Sequence, residues 1–203
     1  METMYKVRDS LADKIKKKER SDLMFLLVLG IIVIIMSVTV VLYTAVFFNV
    51  VVDGPSMNNT LTTGDVLVAS KNKGVERGSL IVIDGEKPNG KGGYDWLIKR
   101  AIAVEGDTVY IANGYVYLNG EKLDEDYVKT KGVTDPIDSA WATPKTLNEN
   151  EVFYLGDNRT NSSDSRMYGT CKEEQIVGVV ENWSLSVRWL NGFLYDLGSI
   201  FRR

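Results

Sequence analysis

From Leu23 to Val52 the chain carries no charged residue, and the stretch LMFLLVLGIIVIIMSVTVVLYTAVFF runs on before it reaches Asn49. About 20 apolar residues suffice to cross the hydrocarbon core of a bilayer, so residues 23–48 are expected to form one transmembrane helix with some tilt. A cleavable leader has an apolar region of only about 7 to 15 residues; this run is longer and is expected to stay as an anchor. Lys14, Lys16, Lys17, Lys18 and Arg20 lie just before it, whereas the flank after it offers only Asp53 until Asp65 and Lys71. An excess of Lys and Arg marks the cytoplasmic side. Residues 1–22 are therefore expected to be a short basic cytoplasmic segment of a single-pass protein of the cytoplasmic membrane. Residues 49–203 are expected outside it, and the lipid bilayer is the first expected partner.

With 203 residues, 44 % of them hydrophobic, the chain has room for that anchor and one compact domain. Residues 49–203 read as β-structure. Short apolar runs, Val66 to Ala69, Leu80 to Ile83 and Ile98 to Val104, are separated by Gly, Asn, Asp and Lys clusters. Asn113-Gly114 and Asn119-Gly120 flank Tyr115-Val116-Tyr117-Leu118 and predict tight hairpins. Residues 108–150 look like a small β-rich insertion. The tail from Trp189 to Phe201 alternates aromatic and polar residues; it is too short and too polar to span, and packing on the domain or lying at a bilayer surface are both open to it.

The chain contains no histidine. That removes the usual general base near pH 7 and the commonest metal ligand, and it makes a Ser-His-Asp triad impossible. The single cysteine, Cys171, cannot form an intramolecular disulfide and reads as a small semi-buried residue. The Asp spacing lacks the twelve-residue calcium loop with its closing glutamate, so no metal is expected.

Chemistry must then rest on other groups. In Asp53-Gly54-Pro55-Ser56-Met57, Gly-Pro forces a turn that leaves a serine at the bend, and a serine hydroxyl needs a base to become nucleophilic. In Trp96-Leu97-Ile98-Lys99-Arg100-Ala101-Ile102-Ala103-Val104, a strand period puts Lys99 on one face with Leu97, Ala101 and Ala103. Small apolar neighbours let a lysine lie inward and desolvated, which lowers its pKa toward the range of a useful base; the plain alternative is a lysine that snorkels to water from an ordinary strand. A third feature is the polar run Gly156-Asp157-Asn158-Arg159-Thr160-Asn161-Ser162-Ser163-Asp164-Ser165-Arg166, which follows the apolar Val152 to Leu155 and suits a loop that orients other groups.

Jointly these pieces resemble the type I signal peptidases, the leader peptidase family. They come in the family's order: an anchor, Ser56-Met57 with Thr60-Leu61, Gly64-Asp65-Val66, Lys99-Arg100 with Gly106-Asp107, then Gly156-Asp157-Asn158 through Ser162, Asp164-Ser165-Arg166 and Gly169. The resemblance implies an all-β, mainly antiparallel signal-peptidase-like catalytic domain behind the anchor, and a serine endopeptidase with a Ser/Lys dyad. Ser56 would be the nucleophile and Lys99 its base. Ser162 would hydrogen-bond the lysine amine, and Arg100, Asp157, Asp164 and Arg166 would form supporting ion pairs. Gly54 stands where some members carry a serine that completes the oxyanion hole, so the hole would rest on the Ser56 N–H and a second backbone group. Substrates would be signal-peptide-bearing preproteins with small side chains one and three positions before the cut; Val52, Met57 and Leu97 are the candidates for lining those pockets. No cofactor and no nucleic-acid partner are implied. The family usually has proline where this chain has Asn59, and glycine and proline where it has Ala103 and Glu105. Two other readings stand beside this one. A self-cleaving repressor-type regulator shares the Ser and Lys but needs an N-terminal DNA-binding helix-turn-helix, where this chain has an anchor. A catalytically altered, membrane-tethered paralogue would act as a binding module.

Overall fold

A computed structural model describes residues 2–88 and 94–200 of the chain, which divides into two compact units between Val46 and Phe47. The first unit is one helix, α1 (Glu2–Val46). Within it Lys16–Val46, 31 residues that contain an 18-residue stretch of mean hydropathy 3.2, is long and apolar enough to cross a membrane. Its few hydroxyls bond back into the helix: Ser37 donates to the Val33 carbonyl at 2.8 Å and Thr39 to that of Ile35 at 2.9 Å. Polar groups satisfied within the segment are what a hydrocarbon environment demands.

The second unit is built on two antiparallel sheets. The larger joins β1 (Phe47–Val51), β2 (Val66–Ser70), β3 (Leu80–Pro88), β4 (Tyr94–Ala103), β9 (Glu151–Leu155), β10 (Cys171–Lys172) and β11 (Ile176–Val180), in the order β1-β2-β11-β3-β4-β9-β10. Its strands are short runs of branched and aromatic residues, the type favoured on a pleated, buried surface. The sheet curls: Phe48 of the edge strand β1 meets Trp96 of β4 edge-to-face, with ring centroids 5.3 Å apart. Between β4 and β9 the chain makes a second sheet, β7-β6-β5-β8, from β5 (Thr108–Ala112), β6 (Tyr115–Leu118), β7 (Glu121–Lys122) and β8 (Lys145–Thr146). Asn113 and Gly114 (φ 53° and 79°) turn β5 into β6, and Asn119 and Gly120 (φ 53° and 88°) turn β6 into β7. These are the left-handed pairs that a two-residue hairpin loop requires.

Three apolar clusters hold the unit together. One gathers Val50, Val52, Met57, Leu61, Leu67 and Ile98 beneath the Ser56 turn. A second packs Ile102, Ala103, Trp141, Phe153 and Leu155 against the smaller sheet. The third holds Ile81, Ile83, Ala101, Tyr154 and Cys171. Burial pushes the Cys171 thiol up to about 12, so it stays protonated and inert.

One local expectation needs correction. Lys99 shares its face with Leu97 and Ala101 but not with Ala103, because β4 bulges. Arg100 lies opposite Leu155 and Ala101 opposite Tyr154, but Ala103 lies opposite Phe153, so Ile102 is an extra residue that resets the side-chain alternation. The C-terminal tail, to which the sequence assigned no element, is helical. After α2 (Ser165–Tyr168) and α3 (Asn182–Ser186), α4 runs from Arg188 to Ile200.

The positions that depart from the family pattern have local partners. Asn59 has φ 98°, which proline, locked near −65°, cannot adopt. The Glu105 carboxylate accepts the N–H of Asn150 at 3.0 Å, and Ala103 is fully buried.

Candidate active site

The loop from Val52 to Asp65 is closed at its base, where the Val52 N–H donates to the Asp65 carbonyl and the Gly64 N–H to that of Val52, both at 2.9 Å. Met57 and Leu61, 1 % and 0 % exposed, plug it into the core. Between these fixed points Gly54, at φ 90°, and Pro55 turn the chain and present Ser56, half-buried, at the bend.

Lys99 reaches that hydroxyl from β4. Its Nζ donates to Ser56 Oγ at 2.8 Å and to the Ile98 carbonyl at 3.1 Å. The lysine is 3 % exposed, and burial lowers its pKa to about 8, a shift that the negative charge of Asp164 partly opposes. A lysine with no carboxylate in contact loses hydration without regaining it as an ion pair, so the neutral amine is favoured.

The loop after β9 surrounds this pair. The Asn158 N–H donates to the Ser56 carbonyl at 3.0 Å and its Nδ2 to the Pro55 carbonyl at 3.1 Å. Gly156 has no space for a side chain: a Cβ there would fall 2.5 Å from the Ser56 carbonyl oxygen and 2.6 Å from Ser162 Cβ. The Asp164 carboxylate accepts the Gly156 N–H at 3.1 Å and is held by Arg166, whose Nε and Nη2 donate at 2.8 and 2.9 Å. Arg100 makes a matching two-pronged pair with Asp157 at 2.8 and 2.7 Å and also donates to the Gly78 carbonyl. Two parallel N–H bonds fix orientation as well as charge.

The structure thus brings Ser56 and Lys99 into contact and pairs Arg100 with Asp157 and Arg166 with Asp164. Ser162 differs from its expected place: its buried Oγ has no hydrogen-bond partner, so it is beside the pair but not bonded to the amine. Val52, Met57 and Leu97 all line a cleft of about 310 Å³ that opens onto Ser56 and Lys99, together with Gly54, Asp53, Trp96 and Ser162. Sequence reasoning gave no role to several residues found here. Thr60 donates its hydroxyl to Asp157. Arg159, fully covered, binds Glu125, Thr134 at 3.1 Å and the Gly156 carbonyl at 3.0 Å. Tyr127 lies under Arg100, 4.0 Å from guanidinium carbon to ring centroid. Thr60 and Arg159 sit within the quoted motif segments; Glu125 and Tyr127 have no local signal at all.

A hydroxyl in contact with a buried, weakly basic lysine, in a cleft without histidine, is a constellation for serine hydrolysis. The comparison with known proteins agrees. The family model described as signal peptidase, peptidase S26, matches residues 24–184. The chain belongs to this family. Among its relatives is the "Signal peptidase I" of Bacillus caldolyticus, 35 % identical over 148 residues that cover 67 % of this chain and 78 % of the relative. The "Signal peptidase IB" of Staphylococcus aureus strain COL is 34 % identical over 145 residues, 64 % of this chain and 73 % of the relative. A crystal structure of a signal peptidase I from Enterococcus faecalis V583 is 30 % identical and covers 54 % of this chain and 98 % of that one, at a TM-score of 0.43. Membership makes this chain a hydrolase, a serine endopeptidase of the type I signal peptidase kind, with an antiparallel β catalytic domain behind one apolar N-terminal helix.

Proposed function

We propose that this chain removes N-terminal signal peptides from exported preproteins, with Ser56 as nucleophile and Lys99 as general base. The observation that carries this reading is the 2.8 Å contact between Lys99 Nζ and Ser56 Oγ in a site that lowers the lysine pKa to about 8. A neutral Lys99 takes the hydroxyl proton while Ser56 Oγ attacks the scissile carbonyl, and the Ser56 N–H, fixed by the Gly54-Pro55 turn, faces the developing oxyanion. The protonated lysine then gives its proton to the leaving amine, the N-terminus of the mature protein. Water, deprotonated by Lys99, releases the signal peptide from the serine ester. Arg100 and Asp157, with Arg166 and Asp164, support this by holding the loop that pins the Ser56 and Pro55 carbonyls. The cleft along Val52, Met57 and Leu97 takes the small side chains before the cut, and an extended substrate is bound by strand addition.

The lysine cluster before the apolar run supports a single-pass anchor with its N-terminus in the cytoplasm and the β domain outside. Preprotein solubilised in detergent should be cut to the mature chain by the wild-type protein and left intact by Ser56→Ala; turnover by the variant rejects Ser56. Protease added to wall-stripped cells should digest the β domain, and its protection would reverse the orientation.

A further inference from the structure

The helix α4 is amphipathic, yet it faces the wrong way for a helix of a water-soluble domain. Two polar residues of its first turn reach the domain, while Tyr195 and Asp196 further along are exposed. The Arg188 guanidinium donates to the Thr60 carbonyl at 2.9 Å and to the Asp65 carboxylate at 3.2 Å. The Asn191 Nδ2 donates to Ser184 Oγ at 3.2 Å, and that same hydroxyl accepts the N–H of Val68 in β2 at 2.7 Å. Its apolar side is turned out. Trp189, Phe193, Leu194 and Leu197 are 73 %, 59 %, 56 % and 40 % exposed, and at 100° per residue they fall within an arc of roughly 140°. A surface helix normally buries this arc and solvates the other.

The inversion is stable in a surrounding that is apolar on the outer side. The chain itself names that surrounding. The apolar helix α1 ends at Val46 and β1 begins at Phe47, so no linker separates a bilayer-spanning segment from the sheet. β1 pairs along its length with β2, and β2 is the strand against which α4 packs. A helix one strand away from the point where the chain leaves the hydrocarbon has a bilayer surface within reach.

On the membrane-anchored reading above, we propose that α4 is a second, interfacial attachment: it lies in the plane of the same bilayer with Trp189, Phe193, Leu194 and Leu197 in the boundary between headgroups and acyl chains. Helices of this kind sink their apolar face about 5–10 Å into that boundary. Anchor and helix together would hold the β domain at two points and so fix the height and tilt of the Ser56 cleft over the membrane.

The test uses the full chain in vesicles of phosphatidylethanolamine and phosphatidylglycerol. Single cysteines replace Phe193, Leu197, Tyr195 on the opposite side of α4, or the exposed Lys129 in the loop between β7 and β8, and carry an environment-sensitive nitrobenzoxadiazole probe; Cys171, buried, stays unlabelled. The expected result is a blue-shifted probe at 193 and 197, quenched several-fold more by lipids with a shallow doxyl group than the probe at 195 or 129. Probes at 193 and 197 that respond to aqueous iodide and not to doxyl lipid overturn the proposal. So does shielding that grows with protein-to-lipid ratio without lipid quenching, which would assign the face to a second copy of the chain. Extraction at alkaline pH separates the two levels: a protein released from the vesicles refutes the anchor itself, whereas a retained protein with water-exposed probes refutes only the role of α4.

Discussion

Among the described residues of the β domain three cations are almost wholly buried, Lys99 at 3 %, Arg159 at 3 % and Arg166 at 2 % exposure, and they are treated in opposite ways. The two arginines are paired with carboxylates, Arg159 with Glu125 and Arg166 with Asp164. Lys99 has only a hydroxyl and a backbone carbonyl. Equal burial with unequal pairing gives two chemistries. A guanidinium keeps its charge in all accessible conditions and, once paired, becomes a rigid strut. An unpaired ammonium is destabilised and gives up its proton near pH 8. Ser162 Oγ has no hydrogen-bond partner among the described residues, so it and Lys99, the buried cation without a counter-ion, gather around Ser56, and the ion-paired groups form the frame outside them.

The largest effect should come from breaking the paired side. Asp164→Asn leaves Arg166 buried without a counter-ion, and removing one partner of such a pair costs about 3–5 kcal/mol. Urea unfolding of the detergent-solubilised protein should show that loss. Because the Asp164 charge also holds the lysine pKa up, any activity that remains should rise at lower pH than in wild type. A variant as stable as wild type would erase the distinction between the two sets.

The unpaired side predicts the opposite sign. Below pH 8 Lys99 is protonated in both folded and unfolded chains, and the folded state bears the full penalty. From pH 8 to 10.5 the unfolded chain binds more protons, so the penalty fades as pH rises. A shift from 10.5 to about 8 corresponds to about 3 kcal/mol. Lys99→Met should therefore be inactive and more stable by about that amount near pH 7, with the gap closing toward pH 10.5, while wild-type cleavage should rise with pH through 8. A gap that does not change with pH would remove the lysine from the unpaired class.

The smallest effect is at Ser162. A buried hydroxyl without a partner costs about 1–3 kcal/mol, so Ser162→Ala should hold or gain about 1 kcal/mol in unfolding free energy. Its cleavage rate should nevertheless fall, less severely than that of Ser56→Ala, since Ser162 lines the cleft at Ser56 and Lys99. Loss of both stability and rate would make Ser162 part of the frame instead.

The anchor, the antiparallel β domain and the two Asn-Gly hairpins are legible in the sequence because each depends on a local rule, a length of apolar run or a pair of residues that tolerate positive φ. The inward side of Lys99 is legible for the same reason, as far as Ala101. Beyond that residue the alternation fails, since a bulge leaves no mark in a run where Ala101, Ile102 and Ala103 are all small or apolar. The α4 helix is hard to read in the tail, because its apolar residues Trp189, Phe193, Leu194 and Leu197 are exposed while Arg188 and Asn191 bind the domain. Within the site, the motif segments carry Ser56, Lys99, Asp157 and Asp164, but the partner of Arg159 lies 34 residues away at Glu125. Such a contact is made by the packing of the smaller sheet on the larger and has no signature along the chain.

The bulge at Ile102 also divides the strand into two phases. On one side Lys99 stands opposite Ile81 and Arg100 opposite Leu80, and a deletion of one residue between Trp96 and Ala101 would rotate the lysine to the far face and empty the cleft of its amine. On the other side the register starts afresh, and a change of length in residues 104–150 travels back along the chain only as far as Ile102. The two phases are thus constrained differently: the few residues before the bulge tolerate substitution but no change in their number, whereas the segment after it is tied to the site through side chains, Glu125 on Arg159 and Tyr127 under Arg100.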